Sequence, residues 1–381
     1  MKKKIMLICS YIMVAALATC ITLRLTMNQK QVSKLEQLES LIEDRFIGET
    51  DGEALEDAAA AAMVSATGDR WSYYIPASGY ESYVEQMTNA YVGVGITIQV
   101  QKDDSGFLIL SVTAGGPAEE AGILAGDLLI RVEDQDVRGM DTEEVRNLVR
   151  GEQGTSVAMT VLRSGETMTL PVERRKVETA VASGEMLDKT TGLVTIENFD
   201  ERCADETIAA IEALLEQGAR KLIFDVRNNP GGYADELVKV LDYLLPEGEV
   251  FHTVDYSGKE RIEHSDANCL DVPMAVLVNG SSYSAAEFFA AALQEYEAAI
   301  VVGEKTVGKG YFQTTFRLSD GSAVSLSIGK YYTPKGENLA GVGITPDKEV
   351  TVDEETAAAI RYDTLAPEED PQIQAALKAL Q

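Results

Sequence analysis

The stretch from residue 281 to residue 313 constrains this 381-residue chain most, because it alternates apolar, helical and glycine-rich segments over a short distance. Residues 274–278 just before it, MAVLV, form a continuous apolar run that predicts a buried strand. A helical segment opens at Ser284, and a second apolar strand is predicted at residues 299–302. Strands that alternate with helices in this way predict an α/β core.

Ser284 and Lys309 are the candidate catalytic residues of this stretch. A serine hydroxyl barely ionises at neutral pH, so it needs a neighbouring base to become a nucleophile. The chain holds 2 histidines, His252 and His264, and neither lies in the stretch. A lysine can replace histidine when burial lowers its pKa toward about 7–8. The sequence therefore favours a Ser-Lys pair.

The surroundings of Lys309 have the composition that a desolvated amine requires. Glycines flank it on both sides, and Val307, Tyr311 and Phe312 are close apolar neighbours in the sequence. Gln313 follows shortly after, and its side-chain carbonyl could orient the amine. We therefore expect Lys309 to be the general base and Gln313 to support it.

A structural interpretation of Ser284 competes with the catalytic one. Residues 284–287, SAAE, fit the capping box that begins many helices. The two interpretations overlap, because a nucleophile at a helix N-terminus has free backbone N–H groups nearby to stabilise an oxyanion. The local pattern does not separate them.

A nucleotide-binding interpretation also exists for this stretch. Residues 303–309 match the first seven positions of a phosphate-binding loop, and they follow a strand. The eighth position should be Ser or Thr to hold magnesium, but the chain has Gly310 there. The loop should lead into a helix, yet residues 311–318 are rich in aromatic and β-branched residues and predict a strand. The context therefore argues against a nucleotide site.

The block as a whole resembles the catalytic region of the carboxyl-terminal processing peptidases, the tail-specific Ser-Lys proteases. Their motif N-x-x-S-x-S-A-[SA]-E matches residues 279–287, with Ser284 at the nucleophile position. Their motif G-E-K-T-x-G-K-G-x-x-Q matches residues 303–313, and the resemblance makes Lys309 the catalytic lysine, not Lys305. Tyr283 stands where a small residue is common in the family.

A glycine-rich turn supplies the candidate oxyanion hole. Residues 227–232, RNNPGG, follow a predicted strand and precede a predicted helix, so they form a tight turn with exposed backbone N–H groups. The resemblance makes Gly231 or Gly232 one half of the oxyanion hole. It makes the N–H of Ala285 the other half.

Residues 91–177 resemble a PDZ domain. Gly93, Val94, Gly95 and Ile96 match the G-Φ-G-Φ loop, whose backbone N–H groups can bind the terminal carboxylate of a peptide. Further family landmarks follow in order, including a helix predicted at residues 141–149 beside the peptide groove. Leu128 stands where many members carry arginine.

The resemblance implies an α/β multidomain fold (α+β overall), with a crotonase-like peptidase core of ββα units, an inserted PDZ domain and an N-terminal helical segment. We expect five regions. They are residues 1–27 as a signal anchor or transmembrane segment, 28–90 as an N-terminal helical region, 91–177 as the PDZ domain, 178–350 as the peptidase core and 351–381 as a C-terminal segment. Residues 68–76 resemble the family's D-x-x-S-x-Y segment that leads into the PDZ domain.

The chain begins with a basic and then apolar segment. Three lysines precede an apolar run at residues 5–23, which is close to the length that a bilayer requires. It fits a signal anchor, a cleaved signal or, through Cys20, a lipoprotein signal. Each of these predicts a catalytic part outside the cytosol, held at the cell membrane by a single pass or secreted.

Composition limits the partners of the chain. Its formal net charge of -29 repels nucleic acid and anionic membrane surfaces. Cys203 and Cys269 permit one disulfide without requiring it. With no CxxC motif or histidine cluster, we predict no metal and no cofactor. Leu35, Leu38 and Leu41 form a stripe at helical spacing, a packing face or a homodimer contact.

The expected function is that of an extracytoplasmic serine endopeptidase. It would cleave proteins or peptides near accessible C-termini that its PDZ domain captures. Two alternatives are a catalytically silent PDZ adaptor and a Ser-Lys hydrolase of small esters or amides. The sequence leaves open the physiological substrate, any activating partner and the oligomeric state.

Overall fold

The computed structural model describes residues 33–362 and 364–381. The predicted signal or anchor segment at residues 1–27 lies outside the described residues. Within the described ranges, none of the helices combines the length and the apolar character that crossing a bilayer requires.

The first described part of the chain is mostly helical. Its elements are helix α1 Lys34–Arg45, helix α2 Gly52–Ser65, strand β1 Tyr73–Ile75, a 3-10 turn at Ala77–Gly79 and helix α3 Tyr80–Thr88. Helix α1 buries none of its residues, and Leu35, Leu38 and Leu41 of the predicted stripe are exposed. The stripe is therefore not a buried packing face within the described chain. Its role as a homodimer contact stays a prediction.

The next unit is an antiparallel sheet with its own core. Its strands are β2 Ala90–Gly93, β3 Ile96–Val100, β4 Phe107–Val112, β5 Leu128–Val132, β6 Gln135–Asp136, β7 Ser156–Arg163, β8 Glu166–Glu173 and β9 Arg175–Glu178. Its helices are α4 Pro117–Glu120 and α5 Thr142–Val149. The sheet has the order β3-β4-β5-β7-β8, with β6 on β5, and it encloses buried Phe107, Leu129 and Met159. Strands β2 and β9 pair as a ribbon where the chain enters and leaves this unit.

The remaining elements form the core that carries the predicted site. Its strands are β10 Ala182–Met186, β11 Thr191–Ile196, β12 Lys221–Asp225, β13 Gly248–Asp255, β14 Glu260–Ser265, β15 Met274–Val278, β16 Ala299–Gly303, β17 Tyr311–Arg317, β18 Ala323–Tyr332 and β19 Lys348–Glu349. Its helices are α6 Cys203–Gln217, α7 Ala234–Leu244, α8 Ala285–Glu295, α9 Glu354–Arg361 and α10 Pro371–Ala379. Strands and helices alternate, so the α/β prediction is confirmed.

The central sheet has the order β10-β11-β12-β15-β16-β19 and is parallel except at β10. Helices α6, α7 and α8 cover one face, where Phe224 and Phe289 meet in an edge contact. Helix α10 covers the other face, where Ile373 packs with Ile223. Because both faces are covered, every residue of β15 is buried, which explains the continuous apolar run in its sequence.

A second sheet adds the N-terminal segment to the core. Strand β18 pairs with β17 on one side, and with β1 and β13 on the other. Strand β1 departs from the prediction that residues 28–90 are a helical region, because its backbone completes the edge of a sheet that the core begins. The chain therefore contacts the core before it enters the PDZ-like unit. Cys203 and Cys269 are both free thiols in this structure.

The buried Arg227 ties the C-terminal segment to the core. Its guanidinium pairs with Asp225 at the end of β12 and donates to Asp370 (2.7 Å) and to Gln372 (3.0 Å) at the start of α10. The side chains of Arg227 and Asp370 are 4% and 3% exposed. A buried charge needs such partners, since an unpaired one is costly. The turn that carries the predicted oxyanion glycines begins at Arg227, so this network also anchors the site.

We expect Asp370→Asn to lower the free energy of unfolding by about 1.5–3 kcal/mol, the worth of a buried hydrogen bond to a charged group. Asparagine caps a helix about as well as aspartate, so the loss would come from the Arg227 pair. Urea unfolding followed by circular dichroism measures it. Asp353→Asn makes the same change at the exposed cap of α9 and should leave stability nearly unchanged. Equal losses in the two variants would contradict this account.

Candidate active site

Loops at the carboxyl ends of neighbouring parallel strands border one cleft. Those ends meet at the same edge of a sheet, so the loops after β12, β15 and β16 lie side by side. The cleft has a volume of about 730 Å³. The predicted site residues that line it are Gly231, Gly232, Ser284, Lys309 and Gln313.

Ser284 occupies a strained turn between β15 and α8. Its backbone has φ 59° and ψ -126°, and a positive φ costs a non-glycine residue of order 1–3 kcal/mol. Neighbouring groups hold the turn: the Tyr283 N–H donates to the Asn229 carbonyl (3.1 Å), and the Ser282 hydroxyl donates to the Val226 carbonyl (2.7 Å). Ser284 is 4% exposed. The first N–H groups of α8 follow it and have no acceptor within the helix.

The carboxylate of Glu287 joins the serine turn to the lysine loop. One oxygen accepts the N–H of Ser284 (3.0 Å) and the N–H of Lys309 (2.8 Å), while the other accepts the Thr306 hydroxyl (2.5 Å) and the Gly308 N–H (2.7 Å). Glu287 is 0% exposed. Burial raises its pKa, and these hydrogen bonds oppose that rise. The capping-box prediction is thus confirmed for the glutamate, which also reaches the loop of the predicted base.

The Lys309 amine lies against aromatic rings. Its Nζ is 4.9 Å from the ring centre of Trp71 and 5.7 Å from that of Tyr283, and the two rings stack on each other. Burial lowers the pKa of Lys309 to about 8, while the carboxylates of Asp69 and Glu287 oppose the shift. The expectation that Lys309 is a desolvated amine is confirmed. The rings that lie against the amine belong to Trp71 and Tyr283, which are distant from Lys309 in the sequence.

The glycines beside Lys309 allow two loops to pass close together. A Cβ on Gly308, whose φ is +84°, would lie 2.9 Å from the Gly343 nitrogen. A Cβ on Gly310 would lie 2.5 Å from the Ala340 nitrogen. The lysine loop therefore threads between the serine turn and the loop at residues 338–344, and only glycine fits on either side of Lys309 without a shift.

Ser284 and Lys309 face the same cleft, but no hydrogen bond joins their side chains in the part of the chain that the structure describes. Tyr331, a buried residue of β18, lines the same cleft as Ser284. Burial raises the pKa of Tyr331, so the phenol stays protonated at neutral pH. Ser284, Lys309 and Tyr331 thus line one cleft.

The two candidate oxyanion glycines differ in their backbone contacts. The Gly231 N–H donates to the side-chain oxygen of Asn229 (2.8 Å), so it is already engaged. The backbone of Phe199 hydrogen-bonds to the carbonyl of Gly231 and to the N–H of Tyr233, the residues on either side of Gly232. In a parallel ladder the N–H of Gly232 itself then points away from Phe199. A Cβ on Gly231 would lie 2.8 Å from the Ala285 nitrogen, so the glycine turn and the start of α8 adjoin.

Gln313 lies beside the lysine loop, on β17. Its amide nitrogen donates to the Tyr311 carbonyl (3.1 Å) and to the Ser327 hydroxyl (2.9 Å). These contacts differ from the expected one, in which the side-chain carbonyl of Gln313 orients the amine of Lys309. The reason is strand register: Gln313 and Ser327 are direct partners across β17 and β18. The supporting role of Gln313 stays a prediction.

The predicted peptide-binding residues lie apart from this cleft. Gly93 ends β2, Ile96 begins β3, and the loop between them bonds back to the PDZ-like unit, where the Thr113 N–H donates to the Gly95 carbonyl (2.9 Å). Val94 is buried there, and Gly95 has a φ of +78°. None of these residues lines the cleft that holds Ser284.

Sequence reasoning missed three contributors to the site. Asp69 and Trp71 belong to residues 68–76, which were matched to a family segment without any catalytic role. Tyr331 lies in the predicted peptidase core, where the sequence indicated no role for it. These residues are far from Ser284 along the chain, so the sequence does not reveal their contacts with the site. The one feature that could have indicated them was the aspartate and the tryptophan in a segment that resembles the family. The histidines lie elsewhere, since His252 belongs to β13 and His264 to β14, and neither lines the cleft.

Comparison with known proteins adds the following findings. Residues 190–350 match the model of peptidase family S41, and residues 108–163 match a PDZ domain model. A probable CtpA-like serine protease of Staphylococcus saprophyticus is 34% identical over 325 residues, which cover 84% of this chain and 65% of that protein. The carboxy-terminal processing protease CtpA of Bacillus subtilis is 33% identical over 361 residues, which cover 91% of this chain and 77% of that protein.

The chain thus spans about two thirds to three quarters of the length of these relatives. Among solved structures, a candidate S41 protease from Bacteroides fragilis is similar with a TM-score of 0.52 and 17% sequence identity. The match covers 90% of this chain and 96% of that one. At this identity the likeness concerns the fold alone.

We expect Glu287→Gln to destabilise the protein by about 2–4 kcal/mol, because the amide has one acceptor oxygen where the carboxylate has two, and buried donors then lose their partner at about 1–3 kcal/mol each. Thermal and urea unfolding measure the change. Glu295→Gln is the matched control at the other end of α8, where the carboxylate accepts only the exposed Lys335 N–H. If both variants unfold alike, Glu287 does not hold the site together.

Proposed function

The chain belongs to peptidase family S41, and on that premise we propose that it is a serine endopeptidase with Ser284 as nucleophile and Lys309 as general base. One observation carries the proposal: a lysine amine whose pKa burial lowers to about 8 shares a cleft with a buried serine on a strained turn. A serine needs a neutral base within reach to lose its proton. Both histidines of the chain lie outside the cleft, which leaves the lysine as the base.

The reaction follows from these groups. The Ser284 oxygen attacks the carbonyl carbon of the peptide bond, and its proton passes to the neutral amine of Lys309. The tetrahedral intermediate collapses when the carbon–nitrogen bond breaks, and the Lys309 ammonium returns the proton to the departing amine. A water molecule then attacks the acyl carbon and loses a proton to Lys309. The bond between that carbon and the Ser284 oxygen breaks, the Lys309 ammonium returns the proton to the serine oxygen, and the acid leaves.

Backbone N–H groups would hold the oxyanion during these steps. The N–H of Ala285 is the first of α8, and such groups are favourable for negative charge. Of the two glycines, Gly232 is the better candidate, because the N–H of Gly231 already donates to Asn229. This choice refines the expectation from the sequence, which left both glycines open.

The PDZ domain would capture the C-terminus of the substrate. Strand β3 is the edge of its sheet, follows the Val94–Gly95 loop and has helix α5 beside it, so an extended peptide could pair with β3 and place its carboxylate at the loop. The Bacillus subtilis relative is named a carboxy-terminal processing protease, which agrees with such a substrate. The substrate class is then proteins or peptides with accessible C-termini.

The location and assembly belong to the same proposal. The basic and apolar residues at positions 1–27 would tether the enzyme to the membrane, or direct its secretion, with the cleft outside the cytosol. The exposed leucines of α1 offer a surface for a homodimer contact.

Replacing either catalytic residue should abolish cleavage. We expect Ser284→Ala and Lys309→Met to lower kcat/KM for an unfolded protein substrate by about a thousandfold or more. Lys305→Met removes the other, exposed lysine of the same loop and should leave the rate near that of the parent. Wild-type rates in either of the first two variants would rule out the Ser-Lys mechanism.

The rate should depend on pH through Lys309. The amine must be neutral to accept a proton, so kcat/KM should rise as pH increases through about 8, the lowered pKa of Lys309, and level off above it. A pH series with an unfolded protein substrate measures this limb. A rate that is constant from pH 6 to pH 9 would be incompatible with Lys309 as the base.

A further inference from the structure

An aspartate from outside the peptidase core lies in the turn whose tryptophan covers the Lys309 amine. Asp69 lies four residues before β1, in a segment that packs on the lysine loop through Trp71. Its carboxylate accepts the Trp71 N–H (3.1 Å) and the Ser72 hydroxyl (2.6 Å), so the charged group and the ring that covers the amine form one rigid turn. Asp69 and Lys309 interact electrostatically, with each favouring the charged form of the other.

A chain of hydrogen bonds connects this turn to Gln313. The amide of Gln313 donates to the Ser327 hydroxyl (2.9 Å), and the backbone of Ser327 is linked to the carboxylate of Asp69 through the Ser72 hydroxyl. The N–H of Ser327 donates to the Ser72 hydroxyl (3.0 Å), which fixes the same turn from the side of β18. Gln313 therefore reaches the surroundings of Lys309 through Ser327 and Asp69.

We propose that Asp69 is the counter-charge of Lys309 and a positioning residue of the peptidase site. This proposal rests on the proposed function, because it takes Lys309 as the general base. The carboxylate accepts the Trp71 N–H and the Ser72 hydroxyl on its own turn, and β18 holds that turn through the Ser327 N–H, so the charge is fixed in place as a counter-charge requires. Although burial opposes it, hydrogen bonds from Ser327 and Ser72 hold the pKa of Asp69 below its ordinary value, so it is ionised at the working pH.

The other groups around the amine are few. Glu287 contributes the second carboxylate from α8, Tyr283 and Trp71 contribute rings, and Tyr331 contributes a protonated phenol from β18. The guanidinium of Arg70 lies over the Trp71 ring at 4.2 Å. The carboxylate of Glu287 already accepts hydrogen bonds from three backbone N–H groups and the Thr306 hydroxyl. The carboxylate of Asp69 instead belongs to the segment that covers the amine.

The direction in which the pKa of Lys309 shifts when Asp69 is replaced separates a counter-charge from a structural residue. Removing a nearby negative charge disfavours the ammonium, so the pKa of Lys309 should fall when Asp69 is neutralised. Loss of a merely structural residue would open the Trp71 cover, admit water and raise the pKa of Lys309 toward that of an exposed lysine. The two roles therefore predict shifts in opposite directions.

The chain offers an internal probe for this titration. It contains 1 tryptophan, Trp71, whose ring lies against the Lys309 amine. In the full-length chain with Ser284→Ala, which prevents turnover, the emission of Trp71 should change with a midpoint near pH 8. Adding Lys309→Met should abolish that transition and so assign it to the amine.

In this background we expect Asp69→Asn and Asp69→Ser to lower the midpoint by about one pH unit, the usual size for an opposite charge nearby. Asp69→Glu keeps the charge and should restore a midpoint close to that of the parent. Asp320→Asn is the matched control, because Asp320 accepts the hydroxyl and N–H of Ser322 in a similar turn away from the cleft. In the active enzyme, the acid limb of kcat/KM should move to lower pH in the same neutral variants.

A midpoint that stays or rises in both neutral variants would overturn the proposal, as would failure of both to fold by thermal unfolding. The emission titration needs no turnover, which separates this result from that of the proposed function. A lowered midpoint in a chain without peptidase activity would support the counter-charge and contradict the peptidase. Cleavage with an unchanged midpoint would support the peptidase and contradict the counter-charge.

Discussion

A single buried carboxylate holds the two halves of this active site in register. Glu287 accepts backbone N–H groups from the serine turn and from the lysine loop, which are connected to each other only through α8 and β16. Because all its donors are fixed backbone groups or a buried hydroxyl, neither loop can shift without breaking hydrogen bonds to a charge. The first turn of a helix favours such a negative charge. The strained backbone of Ser284 persists because this arrangement over-determines it.

The surroundings of Lys309 serve both of its protonation states. Rings exclude water and so favour the neutral amine that can accept a proton. The same ring faces attract a cation, and the carboxylates of Asp69 and Glu287 favour the charged form, so the ammonium is also stabilised. Burial alone would depress the proton affinity of the amine until it became a poor base. The balance between Trp71 and Tyr283 on one side and Asp69 and Glu287 on the other leaves it near the physiological range.

Local patterns in the sequence predicted the elements of the core well. The buried strand at Met274–Val278 and the strand at Tyr311–Arg317 were evident from apolar and β-branched runs, which depend on neighbours in the chain. Ser284 and Lys309 were found because motifs within one short stretch carry them. What the sequence could not provide is the cover of the amine, because Trp71 meets Lys309 only through the pairing of β1 with β18. Periodicity carries no information about such a long-range register.

The topology explains why the cover has to come from so far along the chain. Ser284 and Lys309 lie at the carboxyl edge of a parallel sheet, and this edge is open to solvent because the helices cover the faces of the sheet. An amine at this edge of the sheet is excluded from water only if another segment of the chain packs over it. The N-terminal segment does so before the chain departs into the PDZ domain, and β1 anchors it to the core. The family match at residues 190–350 contains Ser284 and Lys309 but not Trp71, so that span alone lacks the ring that covers the lysine amine.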